Sequence, residues 1–366
     1  MASTMKEAHV SPDTSVTIHE VPIPQIEHPS QMLVKVVVSG TNPKDWKMPA
    51  GILLTIGDCP NSGDDVAGVV SAVGSEVTDF RVGDRVAALH ELGTRGGSYA
   101  EYSLVWDWAT FHLADHITFE EAATVPMAAM MASISIFGML EVVPSPWNAI
   151  SKGHEKPLVV YGAAGAVGAF AVKLAKLFKV GPVICIAGRG IPFVKSLIGD
   201  GDVVIDYRKG DEAMVHEVQE ALRGKDLMHA FDAVSEKGSF INLSRVLARN
   251  GRLNLVLPYI RDDVPDHIEQ STTMAGSLWR DLTQGKVRGE VGKGQLGLGA
   301  GGKDFGFVFM KLVGKWLNEG TLKPHPHEVV DGGLEGVETA LKALRAGKAS
   351  AVKYVVRITE GPESKA

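Results

Sequence analysis

Two cysteines in 366 residues, Cys59 and Cys185, leave no material for a disulfide framework or for a metal site built mainly from thiolates. Neither sign of charge dominates. With 37 Lys+Arg against 43 Asp+Glu the net charge is -6, which excludes the basic footprint of a nucleic-acid binder. Disorder is excluded by 45% hydrophobic against 22% charged residues. From Met1 to Pro24 there are charges and prolines but no apolar segment ending in a small-residue cleavage site, so no export signal is expected, and a cytoplasmic setting fits the scarcity of cysteine. Long apolar runs are also missing but for one: Ala122 to Leu140 holds no charge over 19 residues. Thr124, Pro126, Ser133, Ser135 and Gly138 interrupt it, so it reads as a buried helix and no membrane contact is expected.

What is present is length for two domains and a surplus of glycine, 41 of 366 residues. To about residue 110 the chain alternates short apolar runs with turns: Gln31 to Val38, Val66 to Val73 and Arg85 to Leu89, with glycine turns at Gly74 and Gly83, the pattern of an all-β or barrel-like unit. From Pro157 the pattern changes. Strand-like Leu158 to Tyr161, Val183 to Ala187, Val203 to Asp206, Ala230 to Val234 and Leu253 to Leu257 alternate with helical stretches, which implies a parallel sheet covered on both faces. Residues 282–303 carry eight glycines and few large apolar side chains, so a mobile loop is expected there. Phe305 to Leu317 and Leu334 to Leu344 read as helices. Lys353 to Ile358 reads as a last strand that returns to the first domain.

The strongest local signal is Leu158-Val-Val-Tyr-Gly-Ala-Ala-Gly-Ala-Val-Gly168, a strand running through a glycine turn into an amphipathic helix whose apolar stripe is Val167, Phe170, Ala171, Leu174 and Phe178. The small residues Gly162, Ala163, Ala164 and Gly165, followed by Ala166 and Val167, let backbone N–H groups approach a diphosphate at the positive end of the helix, and Gly168 permits close helix-on-strand packing. Its Gly-x-x-Gly-x-x-Gly departs from Gly-x-Gly-x-x-Gly in the first glycine. At the end of the second strand, Ala187-Gly188-Arg189-Gly190 offers no carboxylate for a ribose 2′-OH, whereas the Arg189 guanidinium can pair with a 2′-phosphate; NADPH is therefore expected over NADH.

These residues resemble the medium-chain dehydrogenase/reductase superfamily. Its first-domain pattern stands in Gly63-Asp-Asp-Val-Ala-Gly-Val-Val-Ser-Ala-Val-Gly74, Gly83-Asp-Arg-Val86 and Gly97-Ser-Tyr-Ala-Glu-Tyr102, and Gly332-Gly-Leu-Glu335 and Gly347-Lys348 fit its C-terminal part. The resemblance implies a GroES-like β-barrel domain, residues 1–130 and 322–366, with a Rossmann domain of doubly wound parallel sheet inserted at 131–321 and the chemistry in the cleft between them. Alcohol dehydrogenases of the superfamily hold a catalytic zinc through a cysteine near the position of Asn42 and a Gly-His-Glu near Gly63-Asp64-Asp65. Neither set is present, so no metal is expected, and His325 and His327, between prolines, read as an exposed connector.

Within the zinc-independent branch of quinone and enoyl reductases the chain looks most like fungal trans-acting enoyl reductases that serve polyketide synthases, the lovastatin type. That resemblance places Thr41-Asn-Pro-Lys-Asp-Trp-Lys47 beside the nicotinamide, with Lys47 at the substrate site and Thr41 and Asn42 orienting nicotinamide or substrate; the alternative for Lys47 is a solvated cation at the barrel edge. Gly188, Arg189 and Tyr207 would take the adenosine end of NADPH, Leu257 and Pro258 would also bind the cofactor, and backbone N–H groups near Val256 to Tyr259 would assist at the reacting carbonyl. Asp45, in a turn rich in Pro and Asn, reads as structural, its carboxylate accepting backbone N–H bonds. Tyr99, Phe119, Met127, Met130 and Met131 could line an apolar channel but read first as core. The expected reaction is metal-free reduction of an activated C=C bond, in an enoyl thioester on a carrier protein of a polyketide synthase. A quinone or enone reductase of free small molecules and a non-catalytic NADPH-binding protein are the alternatives, with a monomer or homodimer expected in each case.

Overall fold

The computed structural model describes residues 4–52, 59–143, 145–146, 154–257, 263–282 and 294–361. Its contacts divide the chain into two units, Met1–Met127 with Gly306–Ala366, and Ala128–Phe305. The first unit opens with an antiparallel hairpin of β1 (Thr4–Val10) and β2 (Val16–Pro22), where mixed charges and prolines had hidden the strand signal. In β3 (Gln31–Gly40) the alternation is plain: Met32, Val34, Val36 and Val38 are buried while Lys35 is exposed. A short helix, α1 (Pro43–Lys47), follows, then strands β4 (Asp65–Val73), β5 (Arg85–Leu89), β6 (Tyr102–Trp106) and β7 (Thr110–His112). Met32, Val34 and Val36 pack with Val66, Val70, Val86 and Val105 in a core between these strands.

Helices α2 (Phe119–Ala122) and α3 (Pro126–Ser133) and a π-helical stretch, Ile134–Met139, take up the uncharged run. By length and composition alone Phe119–Met139 could cross a membrane, with a mean hydropathy of 1.6, but 89% of its most apolar window is buried inside the protein. The boundary between the two units falls inside α3, after Met127.

The second unit is a seven-stranded parallel sheet, and its strands fall where the apolar runs lie: β8 (His154–Tyr161), β9 (Val180–Ala187), β10 (Val203–Asp206), β11 (His229–Asp232), β12 (Arg252–Leu255), β13 (Glu269–Thr272) and β14 (Gln295–Leu296). The spatial order is β10-β9-β8-β11-β12-β13-β14, so the winding reverses beside β8. Between the strands lie α4 (Ala166–Leu177), α5 (Ile191–Lys195), α6 (Asp211–Leu222) and α7 (Ser239–Ser244). Met214, Val215, Val218 and Leu222 of α6 bury one apolar stripe against Ile184, Ile186 and Ile205 of the sheet.

The mobile loop expected across 282–303 does not extend to its C-terminal part: Gln295–Leu296 pair in parallel with β13, Leu296 is buried, and a 3-10 turn at Gly299–Gly301 leads into α8 (Gly302–Asn318). Glycine serves close approach there, not flexibility. A Cβ on Gly302 would stand 1.8 Å from the Ser277 carbonyl oxygen, and one on Gly294, whose φ is +106°, 2.2 Å from that of Gln270. Residues 283–293 lie outside the described residues.

Helix α8 then joins the first unit from Gly306 onward, earlier than the return at residue 322 read from sequence. Gly314 allows this because a Cβ there would meet the Phe111 side chain at 2.5 Å, and Asn318 donates to the His112 carbonyl and accepts from the Ala114 N–H, both at 2.9 Å. Strand β15 (His327–Val330), α9 (Gly336–Arg345) and β16 (Lys353–Arg357) complete the unit. Its second sheet runs β15-β16-β3-β4-β5-β7 with β6 also on β3. One edge of β3 is shared: residues 31–35 pair with β6 and residues 38–40 with β16, while its other edge shifts register along β4. The last strand thus lies beside the end of β3, the point from which Thr41 and Asn42 leave the sheet.

Candidate active site

In the first unit the segment after β3 is held from several sides. Thr41 donates both its N–H, at 3.0 Å, and its hydroxyl, at 2.9 Å, to the Tyr354 carbonyl of β16. Asn42 caps α1 with extended backbone, and its N–H donates to the Asp45 carboxylate at 2.7 Å, the backbone-accepting role expected of that residue. Both polar atoms of the Asn42 amide are engaged: Nδ2 donates to Asp65 Oδ2 at 2.7 Å, and Oδ1 accepts from Lys353 Nζ at 3.1 Å. Lys353 also reaches Asp65 Oδ2 at 2.5 Å, and Asp65 Oδ1 accepts from the Met127 N–H at 2.7 Å. An ammonium therefore stands where a cation shared by Asp65 and Asn42 would stand, and the pair does not fit the role of metal ligands.

A second buried ionic chain lies on the other side of α1. Lys44 pairs with Asp45 at 2.7 Å and with Asp64, and donates to the Ser62 carbonyl at 2.5 Å; Asp64 in turn meets His90 Nδ1 at 2.9 Å. Tyr99, wholly buried in the core with Val337 and Leu341, donates its hydroxyl to Asp45 Oδ2 at 2.6 Å, so it is a core residue with a polar duty and not a channel wall. Burial, reinforced by Asp64, pushes the Asp45 carboxyl up to about 6 even though Lys44 and Tyr99 stabilise its charge. Burial alone would raise Asp64 too, but Lys44 and His90 outweigh it and hold Asp64 below the usual carboxylate range. Lys44 is committed to this chain. Lys47, expected as either substrate group or solvated cation, is buried, with Nζ 5.6 Å from the Trp46 ring centroid.

Neither Lys353 nor His90 was singled out from sequence. The signal was there: two consecutive aspartates opening an otherwise apolar strand, Asp64-Asp65-Val-Ala-Gly-Val-Val, must each bury a charge, and buried carboxylates require cations. The connector between prolines also differs from expectation, because His325 is buried and its N–H donates to the Thr124 hydroxyl at 3.1 Å.

In the second unit the strand-turn-helix forms as read. Gly162 takes φ +77°, and a Cβ on Gly168 would stand 2.3 Å from the Gly162 carbonyl oxygen, so α4 starts against the end of β8. The turn consumes part of its own donors: the N–H groups of Gly162 and Ala163 go to the Ile186 carbonyl at 3.0 and 3.1 Å, and that of Gly165 goes to the Gly162 carbonyl at 3.0 Å. Ala166, Val167 and Gly168, the first turn of α4, have no carbonyl four residues back inside the helix, so their N–H groups are donors that the helix start can offer to an anion. Gly188 is buried, and a Cβ there would press on the Tyr207 ring at 2.7 Å; Arg189 beside it is exposed. Tyr207 stacks with Tyr161, ring centroids 6.1 Å apart. Gly162, Gly188, Arg189, Tyr207 and the buried Leu257 all follow the C-terminal ends of parallel strands, where open α/β sheets take their ligands. The Val256 N–H is already given to Ser235 Oγ at 2.9 Å, and Pro258 and Tyr259 lie outside the described residues.

Comparison with known proteins agrees with both units. Residues 28–115 match the alcohol dehydrogenase GroES-like domain family. The chain is 42% identical over 341 residues to the trans-enoyl reductase fsr4 of Gibberella fujikuroi, covering 92% of this chain and 93% of that protein. Among solved structures it resembles the CurK enoyl reductase, with a TM-score of 0.71 and 18% identity over 98% of this chain and all of that one. It also resembles a mycobacterial protein complexed with NADPH, with a TM-score of 0.72 and 20% identity over 97% of this chain and all of that one. The chain is an oxidoreductase and belongs to the trans-enoyl reductases of the medium-chain dehydrogenase/reductase superfamily.

Proposed function

We propose that the protein reduces the C=C bond of an α,β-unsaturated thioester carried by a polyketide synthase that lacks this activity, with NADPH as reductant. The observation that carries this reading is the 42% identity to a trans-enoyl reductase over nearly the full length of both chains, with the strand-turn-helix of the second unit intact. When bound, NADPH supplies a hydride to the β-carbon of the alkene. The first turn of α4, through the Ala166 and Val167 N–H groups, would hold the diphosphate, and Arg189 with Tyr207 the adenosine 2′-phosphate. Lys47 would stabilise the negative charge that develops on the thioester carbonyl, and Lys47 or water would deliver the α-carbon proton; Thr41 and Asn42 orient the reacting groups.

The test is a panel of enoyl thioesters, free enones and quinones with NADPH and NADH. Thioester turnover with NADPH is expected. Lys47→Met should lower kcat by roughly 10²-fold, and Arg189→Ala should weaken NADPH by about tenfold or more while leaving NADH unchanged. Preference for quinones, or equal use of both nucleotides, refutes the corresponding half of the reading.

A further inference from the structure

Asn42 sits at the junction of a strand end, a helix start and a buried ion pair, and the chemistry of its neighbours settles which way its amide faces. Lys353 can only donate and ionised Asp65 can only accept, so Oδ1 must face the ammonium and Nδ2 the carboxylate. That leaves one amide N–H. Among the described residues no acceptor is recorded for it, and Asn42 is 6% exposed. Asp65 cannot do this alone. Without Lys353 the Asn42 oxygen loses its donor and Asp65 is left a buried charge with no cation, so the amide is held at one end only and its second N–H is no longer fixed.

We propose that Lys353 is a positioning residue for the reduction: by pairing with Asp65 and holding the Asn42 oxygen in place, it turns the second Asn42 N–H into a fixed donor toward a carbonyl oxygen of the bound substrate or nicotinamide. This rests on the enoyl reductase reading only for the identity of that carbonyl. Three features separate Lys353 from an ordinary structural ion pair. Its ammonium touches a proposed site residue directly, it lies on β16 next to the Tyr354 carbonyl that anchors Thr41, and Asp65 already has a further partner in the Met127 N–H.

Lys353→Met alone strands the Asp65 charge in the interior and destabilises the fold, so the informative variant is K353M/D65N, which removes both charges together. Two measurements follow. In 15N-labelled protein the Asn42 side-chain amide pair, identified by its loss in N42A, should show two distinct, slowly exchanging protons in the parent and in K353R. In K353M/D65N the pair should shift and average. In enoyl thioester turnover K353M/D65N should lower kcat by roughly tenfold with KM changed less than about threefold, K353R should recover most of it, and no further loss should appear in an N42A background. An unchanged Asn42 amide pair in K353M/D65N overturns the proposal whether or not the protein reduces enoyl thioesters. A loss of the same size with and without Asn42 also overturns it, since Lys353 would then act independently. If the parent turns over no enoyl thioester, the functional reading fails while the amide spectrum still decides the role of Lys353.

Discussion

Replacing Gly168 by alanine tests the binding turn most directly. The new Cβ would stand 2.3 Å from the Gly162 carbonyl oxygen, 2.8 Å from its carbon and 3.0 Å from Ala163 Cα. All three are backbone atoms, so no rotamer change relieves the clash, and α4 must move about 1 Å from the end of β8 to restore ordinary contact. Overpacking of this kind costs about 1–3 kcal/mol, or roughly 3–10 °C in the melting temperature of a unit of this size. The same shift would carry the Ala166 and Val167 N–H groups away from a diphosphate held as proposed. Hydrogen bonds to a charged group contribute about 1.5–3 kcal/mol, so NADPH should bind roughly ten- to a hundredfold more weakly. Gly165→Ala is the matched control: its Cβ would meet only the Gly162 oxygen, at 3.5 Å, and its φ of -73° suits any residue. It should cost about 0.5–1 kcal/mol as a poorer N-cap. Urea unfolding and calorimetric titration with NADPH on both variants decide the matter. If G168A is as stable as G165A and binds NADPH within about twofold of the parent, α4 does not depend on this contact and the diphosphate is not held at its first turn.

The buried chain on α1 makes two further predictions. Because burial raises the Asp45 carboxyl to about 6, the folded state holds its proton more tightly than the unfolded chain, and the stability this confers is present below the ordinary value of 3.8 and lost as pH rises through 6. Asp45→Asn removes that decline, so its stability relative to the parent should improve between pH 4 and 7 by on the order of 2–3 kcal/mol; a difference independent of pH in parallel unfolding curves would show that Asp45 titrates normally. Tyr99→Phe leaves Asp45 Oδ2 without its 2.6 Å hydroxyl donor and should cost about 1–3 kcal/mol in unfolding free energy. A melt indistinguishable from the parent would count against the bond.

Where an element's own residues set its form, sequence reading was sufficient. The apolar runs of β3, β5, β9 and β10 appear as strands, and the Gly162 to Gly168 turn opens a helix, because alternation, β-branched runs and glycine spacing are local properties. The hairpin β1–β2 escaped because its apolar positions are few and interrupted: Ala8, Val10, Val16 and Ile18 reach a core, but Lys6, Glu7, His9, His19 and Glu20 break up the runs. The end of the glycine-rich segment was misjudged for a related reason: low apolar content reads as mobility, whereas Gly294 and Gly302 are small because other backbone runs against them.

Sequence by itself determined the two kinds of unit, the turn offered to a dinucleotide, and the absence of thiolate or imidazole ligands at Asn42, Asp64 and Asp65. Tertiary structure alone decided what those polar residues do instead. Lys353 lies 288 positions from Asp65, and only the return of β16 beside β3 brings its ammonium to that carboxylate. A charge can be buried only where its partner is in contact, and contacts between residues so far apart in the chain are set by sheet topology and not by any local pattern.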